Sequence, residues 1–178
     1  ASETGTLFQS VNSSPFTAVK PPKDPYGRQI TKIRFIAIHP DDNEILASSG
    51  QGLIRSRDKG ATWQPIADPF WNNPQARQVV ALGYAGGKPV VVTKNGVYRQ
   101  TKKGFEPVTK GLPGTVVTTV ASVFEGKILM AVPGEGIYMA TKDSAWKKLK
   151  GAPGDPIAFV GFARGGYLAA RPTTELHR

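Results

Sequence analysis

Short apolar runs recur along this chain at a steady interval, each closed by glycine, proline, aspartate or asparagine. One set covers residues 33–38, 79–84, 116–123 and 157–162. A turn follows each: His39-Pro40-Asp41-Asp42-Asn43, Gly86-Gly87, Glu125-Gly126 and Arg164-Gly165-Gly166. A second set then covers 45–47, 90–92, 128–131 and 167–170. Runs of this length joined by Gly or Asp-Asn turns predict β-hairpins. No segment keeps apolar residues at three and four spacing over about ten positions, so no helix is expected.

A third element repeats in phase with the hairpins. It is a glycine, a few strand-like residues, a polar turn and an aromatic: Gly5 leading to Phe16, Gly52 to Trp63, Gly96 to Phe105, and Gly136 to Trp146. The glycines lie 47, 44 and 40 residues apart. Each aromatic is followed three residues later by an aliphatic, Val19, Ile66, Val108 or Leu149, as in a short strand. One unit is thus four strands over about 42 residues, the size of a propeller blade. The expected fold is all-β: a β-propeller of four-stranded antiparallel blades, about four repeats, in one domain. The units run approximately 1–28, 29–74, 75–113, 114–153 and 154–178, the first and last being partial. This phase leaves two alternatives: a four-bladed ring closed by its own two ends, or part of a larger propeller.

Ser56, Asp58, Gly60, Thr62 and Trp63 match the pattern Ser-x-Asp-x-Gly-x-Thr-Trp at every fixed position, after the strand Gly52-Leu53-Ile54-Arg55. The stretch 36–63 resembles the Asp-box repeats of bacterial neuraminidases, sortilin-type receptors, xyloglucanases and photosystem II assembly factors. Eroded versions stand at 100–105, 141–146 and 10–16. Aspartate in a tight turn accepts backbone N–H groups, glycine permits positive φ, and tryptophan buries a large apolar area. These five residues are therefore expected to serve the fold. The resemblance implies that such boxes join third and fourth strands, away from the usual ligand face. The proteins that share the repeat do different things, so it does not name a function.

Composition narrows the chemistry. There is no cysteine, which excludes disulfides and thiolate chemistry. The 23 Lys and Arg against 13 Asp and Glu give a net charge of +10, which favours acidic partners. The charges do not cluster, and Arg57, Lys59, Lys102, Lys103, Lys147 and Lys148 fall in turns on one side, so no specific nucleic-acid binding is expected. No stretch is long and apolar enough for a transmembrane helix. The opening Ala1-Ser2-Glu3-Thr4 is compatible with signal-peptide cleavage, and a secreted or cell-envelope location is expected.

No catalytic set emerges. A sialidase needs an arginine triad and a tyrosine nucleophile; Ile33-Arg34-Phe35 reads as a strand with one charge on it. A glycosidase needs two carboxylates flanking the scissile bond. Asp24, Asp41, Asp42, Asp68 and Asp155 are the candidates; Asp68 and Asp155 lie in blade-joining loops, while turn chemistry accounts for Asp41 and Asp42. His39 and His177 make no metal site, and no phosphate loop is present. No metal, cofactor or catalytic residue is expected.

Binding is the stronger expectation. The blade-joining loop around Phe70 and Trp71 sets two aromatics among Pro and Asn, suited either to stacking on a sugar or anchoring a protein, or to folding back into the ring or the gap between blades. The preceding loop carries Lys23, Tyr26 and Arg28. Arg55 and Arg99 hold one position in consecutive repeats and are expected to line a basic stripe. The expectation is a non-catalytic binding or scaffold module for a protein, peptide or glycan, with acidic partners favoured. A glycoside hydrolase of the Asp-box type is the alternative. A monomer suits a ring closed by its own ends, and a self-associated fragment suits an open propeller with exposed sheet edges.

Overall fold

The computed structural model describes residues 7–10, 13–20, 22–67, 69–74, 76–114, 118, 120–141 and 144–152, and the backbone of the strands 158–161 and 167–170. The expected carboxylates Asp68 and Asp155, as well as His177, fall outside these residues.

Among the described residues all regular structure is antiparallel β. A first pair is β1 (Phe8–Gln9) and β2 (Thr17–Ala18). Three complete four-stranded sheets follow. The first is β3 (Ile33–Ile38), β4 (Ile45–Ser49), β5 (Leu53–Ser56) and β6 (Gln64–Pro65). The second is β7 (Val79–Ala85), β8 (Lys88–Thr93), β9 (Gly96–Thr101) and β10 (Gly104–Pro107). The third is β11 (Ala121–Phe124), β12 (Lys127–Val132), β13 (Gly136–Thr141) and β14 (Lys147–Lys148). A last pair is β15 (Ala158–Gly161) and β16 (Tyr167–Ala170). Each sheet is ordered as the chain runs, and the first strands β3, β7, β11 and β15 lie one against the next. Among the described residues the pairs β1–β2 and β15–β16 form separate two-stranded sheets.

The second strands explain the packing. Val90, Val91 and Val92 on β8 are all fully buried, as are Ile128, Leu129 and Met130 on β12. A strand covered on both faces needs a continuous apolar run in place of alternation. Val91 packs with Leu53 of the preceding sheet, whereas Val90 and Val92 pack with Ile128 and Met130 of the following one. Each such side chain contributes roughly 1.5–3 kcal/mol relative to exposure. At the inner edge Gly83 lets β7 approach β11: a Cβ there would stand 2.6 Å from Val123 Cβ. The turns Gly86-Gly87 and Glu125-Gly126 have positive φ at both positions, the type I′ geometry that matches strand twist.

Candidate functional site

The Ser56–Trp63 corner joins β5 to β6 and is internally satisfied. Asp58 accepts hydrogen bonds from Thr62 N–H at 2.8 Å, from the Thr62 hydroxyl, and from the Ser56 hydroxyl at 2.8 Å. Those contacts, the Thr62 hydroxyl foremost, hold the Asp58 carboxyl down at about 2. Gly60 N–H donates to Ser56 Oγ at 2.7 Å, and Trp63 Nε1–H to Gly60 O at 2.9 Å. Trp63 packs against the cluster of Leu7, Ile30 and Ile54, so the corner works between sheets as a fold element.

At this same end of the blades the charges are paired. Arg55 Nε stands 3.2 Å from Glu44 Oε2, with both side chains largely buried, and its Nη2 donates to Gln100 Oε1 of the next blade. Arg99 Nη2 donates to Thr141 O of the third blade at 2.9 Å. Tyr84 OH donates to Glu44; burial first, and then the Glu44 charge, push its pKa upward. His39 Nδ1 accepts the N–H groups of Asp41 and Asp42, so its Nε2 carries the proton and donates to Gly87 O at 3.1 Å. The expected basic stripe is therefore corrected. Arg55 and Arg99 are staples between successive blades, because each faces an acceptor on the next third strand.

The loop end is built differently. Phe70 and Trp71 are 0% and 2% exposed, which overturns their reading as ligand contacts and bears out the alternative that they fold back between blades. Phe70 fills the space between the first two complete blades, with its ring edge-on to Tyr98 and Phe105 at 5.6 and 5.0 Å. Trp71 packs on the other face of the first blade, beside Ile33, Ala47 and Ile54. Its seat is made by Gly52, where a Cβ would stand 2.6 Å from the indole. Arg77 locks the loop by donating to Phe70 O at 3.1 Å and to Trp71 O.

Tyr26, Lys23 and Arg28 remain at the surface, and Tyr26 is 60% exposed. Lys23 forms an isolated bridge with Gln29, which closes the loop. Tyr26 OH donates to Asn72, so the first two blade-joining loops meet, with the Arg28 guanidinium 5.2 Å from the Tyr26 ring centre. Burial opposes the Asp24 charge, but hydrogen bonds from Arg28 and Tyr26 outweigh it and keep its pKa below the ordinary value.

Beside these loops a cleft of about 430 Å3 opens between the first two complete blades. It is lined by Arg34, Ser48, Ser49, Gly50, Arg77 and Lys94, together with Pro74, Gln78 and Val79. Among the described residues no acidic or aromatic one lines it. Arg34 is the extra residue of a bulge, since Ile33 faces Ser49 and Phe35 faces Ser48. The second blade has Val80 at the matching bulge. Bulges re-aim side chains, and this one exposes a cation at the cleft mouth. Lys94 is fixed through its backbone, by N–H to Gln78 O and by its carbonyl from Thr118 N–H, while its side chain is exposed. Sequence reasoning missed this trio because its members come from separate elements. The available signal was position: each sits at the loop end of its repeat.

Four-stranded antiparallel blades set side by side, first strand against first strand, define a β-propeller-type fold. Solved structures agree on the fold. YCF48 bound to a D1 peptide is similar at a TM-score of 0.62 with 18% identity, over 92% of this chain and 52% of that one. YCF48 from Cyanidioschyzon merolae gives 0.58 and 13%, over 94% and 61%. The extracellular domain of the two component system BT4673 from B. thetaiotaomicron gives 0.59 and 12%, over 93% and 23%. The chain thus spans only part of each. No protein-family model matches the sequence, and no curated protein matches it.

Proposed function

We propose that this chain is a non-catalytic binding module that recognises a protein or peptide partner on its loop face. The carrying observation is the cleft lined by Arg34, Arg77 and Lys94, concave and cationic on a rigid scaffold. The similarity to a propeller whose solved form holds a peptide supports the same reading. The Ser56–Trp63 corner is read as an Asp-box that holds blades together at the opposite end. A secreted or envelope location is part of the proposal, in line with the extracellular domain among the similar structures.

No observation favours the glycan-active alternative. Asp24 and Asp42 accept local backbone N–H groups as turn residues do. The test is selection from a displayed random-peptide library, followed by hydrogen-exchange mapping of the bound chain. Protection of the loops around 22–30 and 69–79 and of the turn at 49–52 is expected. Failure to select any peptide, or protection confined to the turns at 39–44 and 86–88, would refute the reading.

A further inference from the structure

Among the described residues, three cations share one cleft without an acid. Arg34 and Lys94 make no ion pair among the described residues, and Arg77 spends donors on loop carbonyls yet keeps its charge. A guanidinium carries five N–H donors, so Arg77 still has some to offer. Like charges held together oppose folding unless an anion neutralises them. The Arg34 and Lys94 backbones are anchored by a bulge and by paired hydrogen bonds, and the Arg77 side chain by loop carbonyls, so a ligand has only the two exposed side chains to order.

The lining also discriminates among anions. Single-stranded nucleic acid and glycans use exposed aromatic platforms, and here Phe70 and Trp71 are buried beneath the loops. Lys102 and Lys103 lie at the far end of the blades, and Lys23, Arg28 and Lys32 at the loop end do not line the cleft, so its three cations extend no continuous track for a phosphate backbone. What remains is a short anionic group among hydroxyls and backbone, which suits a carboxylate; paired N–H donors of arginine fit it closely.

We infer that the cleft between the first two complete blades binds the carboxylates of an acidic peptide segment through Arg34, Arg77 and Lys94. The inference rests on the proposed peptide-binding role and names its ligand class. It is tested on the full chain with three labelled peptides of Gly and Ser carrying Glu, Gln or Lys, read by fluorescence anisotropy. The Glu peptide should bind, and R34E/K94E should weaken it by about tenfold or more. K102E/K103E makes the same change in net charge at the other end and should leave affinity nearly unchanged. Thermal melts confirm that both variants fold, since all four residues are exposed.

Equal binding of the Gln peptide would overturn the inference while leaving the peptide-binding role intact, as would equal losses in both variants. A single-stranded oligothymidylate that binds through Arg34 and Lys94, and that the Glu peptide does not displace, would overturn it in favour of nucleic acid. If neither these peptides nor any library peptide binds, both readings fall.

Discussion

The junction between the first two complete blades has two ends, and they treat charge in opposite ways. At the turn end Glu44 lies 3.2 Å from Arg55 and 3.5 Å from Arg57, and Arg55 reaches across to Gln100. The pocket there, about 310 Å3, mixes Asp42 and Glu44 with Arg55, Lys88 and Lys102. At the loop end the cleft of about 430 Å3 carries, among the described residues, cations as its only charges. Paired charges join blades; Arg34 and Lys94, exposed on anchored backbone, make no ion pair among the described residues. The contrast separates the end whose charges serve the fold from the end proposed to meet a partner.

Removing the floor of the loop end should have the largest effect. Phe70→Ala leaves a cavity between two blades and should cost roughly 3–5 kcal/mol in chemical denaturation. A loss below about 1 kcal/mol would mean that Phe70 is not part of the core, and would restore it as a candidate ligand contact. Next comes Glu44→Gln at the turn end, which strips the carboxylate from Arg55. The expected cost is about 2 kcal/mol, short of the roughly 3–5 kcal/mol for a fully buried pair because both side chains retain some exposure. An unchanged denaturation midpoint would remove the distinction between the two ends.

Asp58 offers a finer probe of the turn end. Its folded pKa, about 2, lies below its unfolded value, so its contribution is present above about pH 4 and is lost as the pH falls toward about 2. Wild type should lose stability across that window, and Asp58→Asn, already less stable at neutral pH, should lose less. Parallel acid profiles for the two proteins would contradict this. The smallest effect is expected at the loop end: Arg34→Ala and Lys94→Ala should each change stability by less than about 0.5 kcal/mol. A loss well above that would show that these cations serve the fold after all.

Several of these features were legible in the residues. The continuous run Val90-Val91-Val92 announces a strand buried on both faces, and Gly86-Gly87 and Glu125-Gly126 announce their hairpins. Ser56, Asp58, Gly60, Thr62 and Trp63 satisfy one another within a single turn, so their roles follow from local chemistry alone. For Phe70 and Trp71 the residues left two readings open, because aromatics in a Pro- and Asn-rich loop suit a partner or the core equally until the space that receives them is known. That space is made elsewhere, by Gly52 for the indole and by Leu53, Val91 and Tyr98 for the phenyl ring.

Periodicity, turn chemistry and the repeat therefore determined strands, hairpins and blade size, because each depends on neighbours a few positions away along the chain. Only the tertiary structure decided which charges are consumed and which are offered. Arg55 and Arg99 share a place in the repeat that reads as a surface stripe, yet an acceptor on the adjoining blade ties each of them down. Arg34, Arg77 and Lys94 share no place in it, yet the bulge in β3, the loop clamped by Arg77 and the turn after β8 bring them to one cleft. Contact between blades joins residues far apart in sequence, and no local pattern encodes which of them will meet.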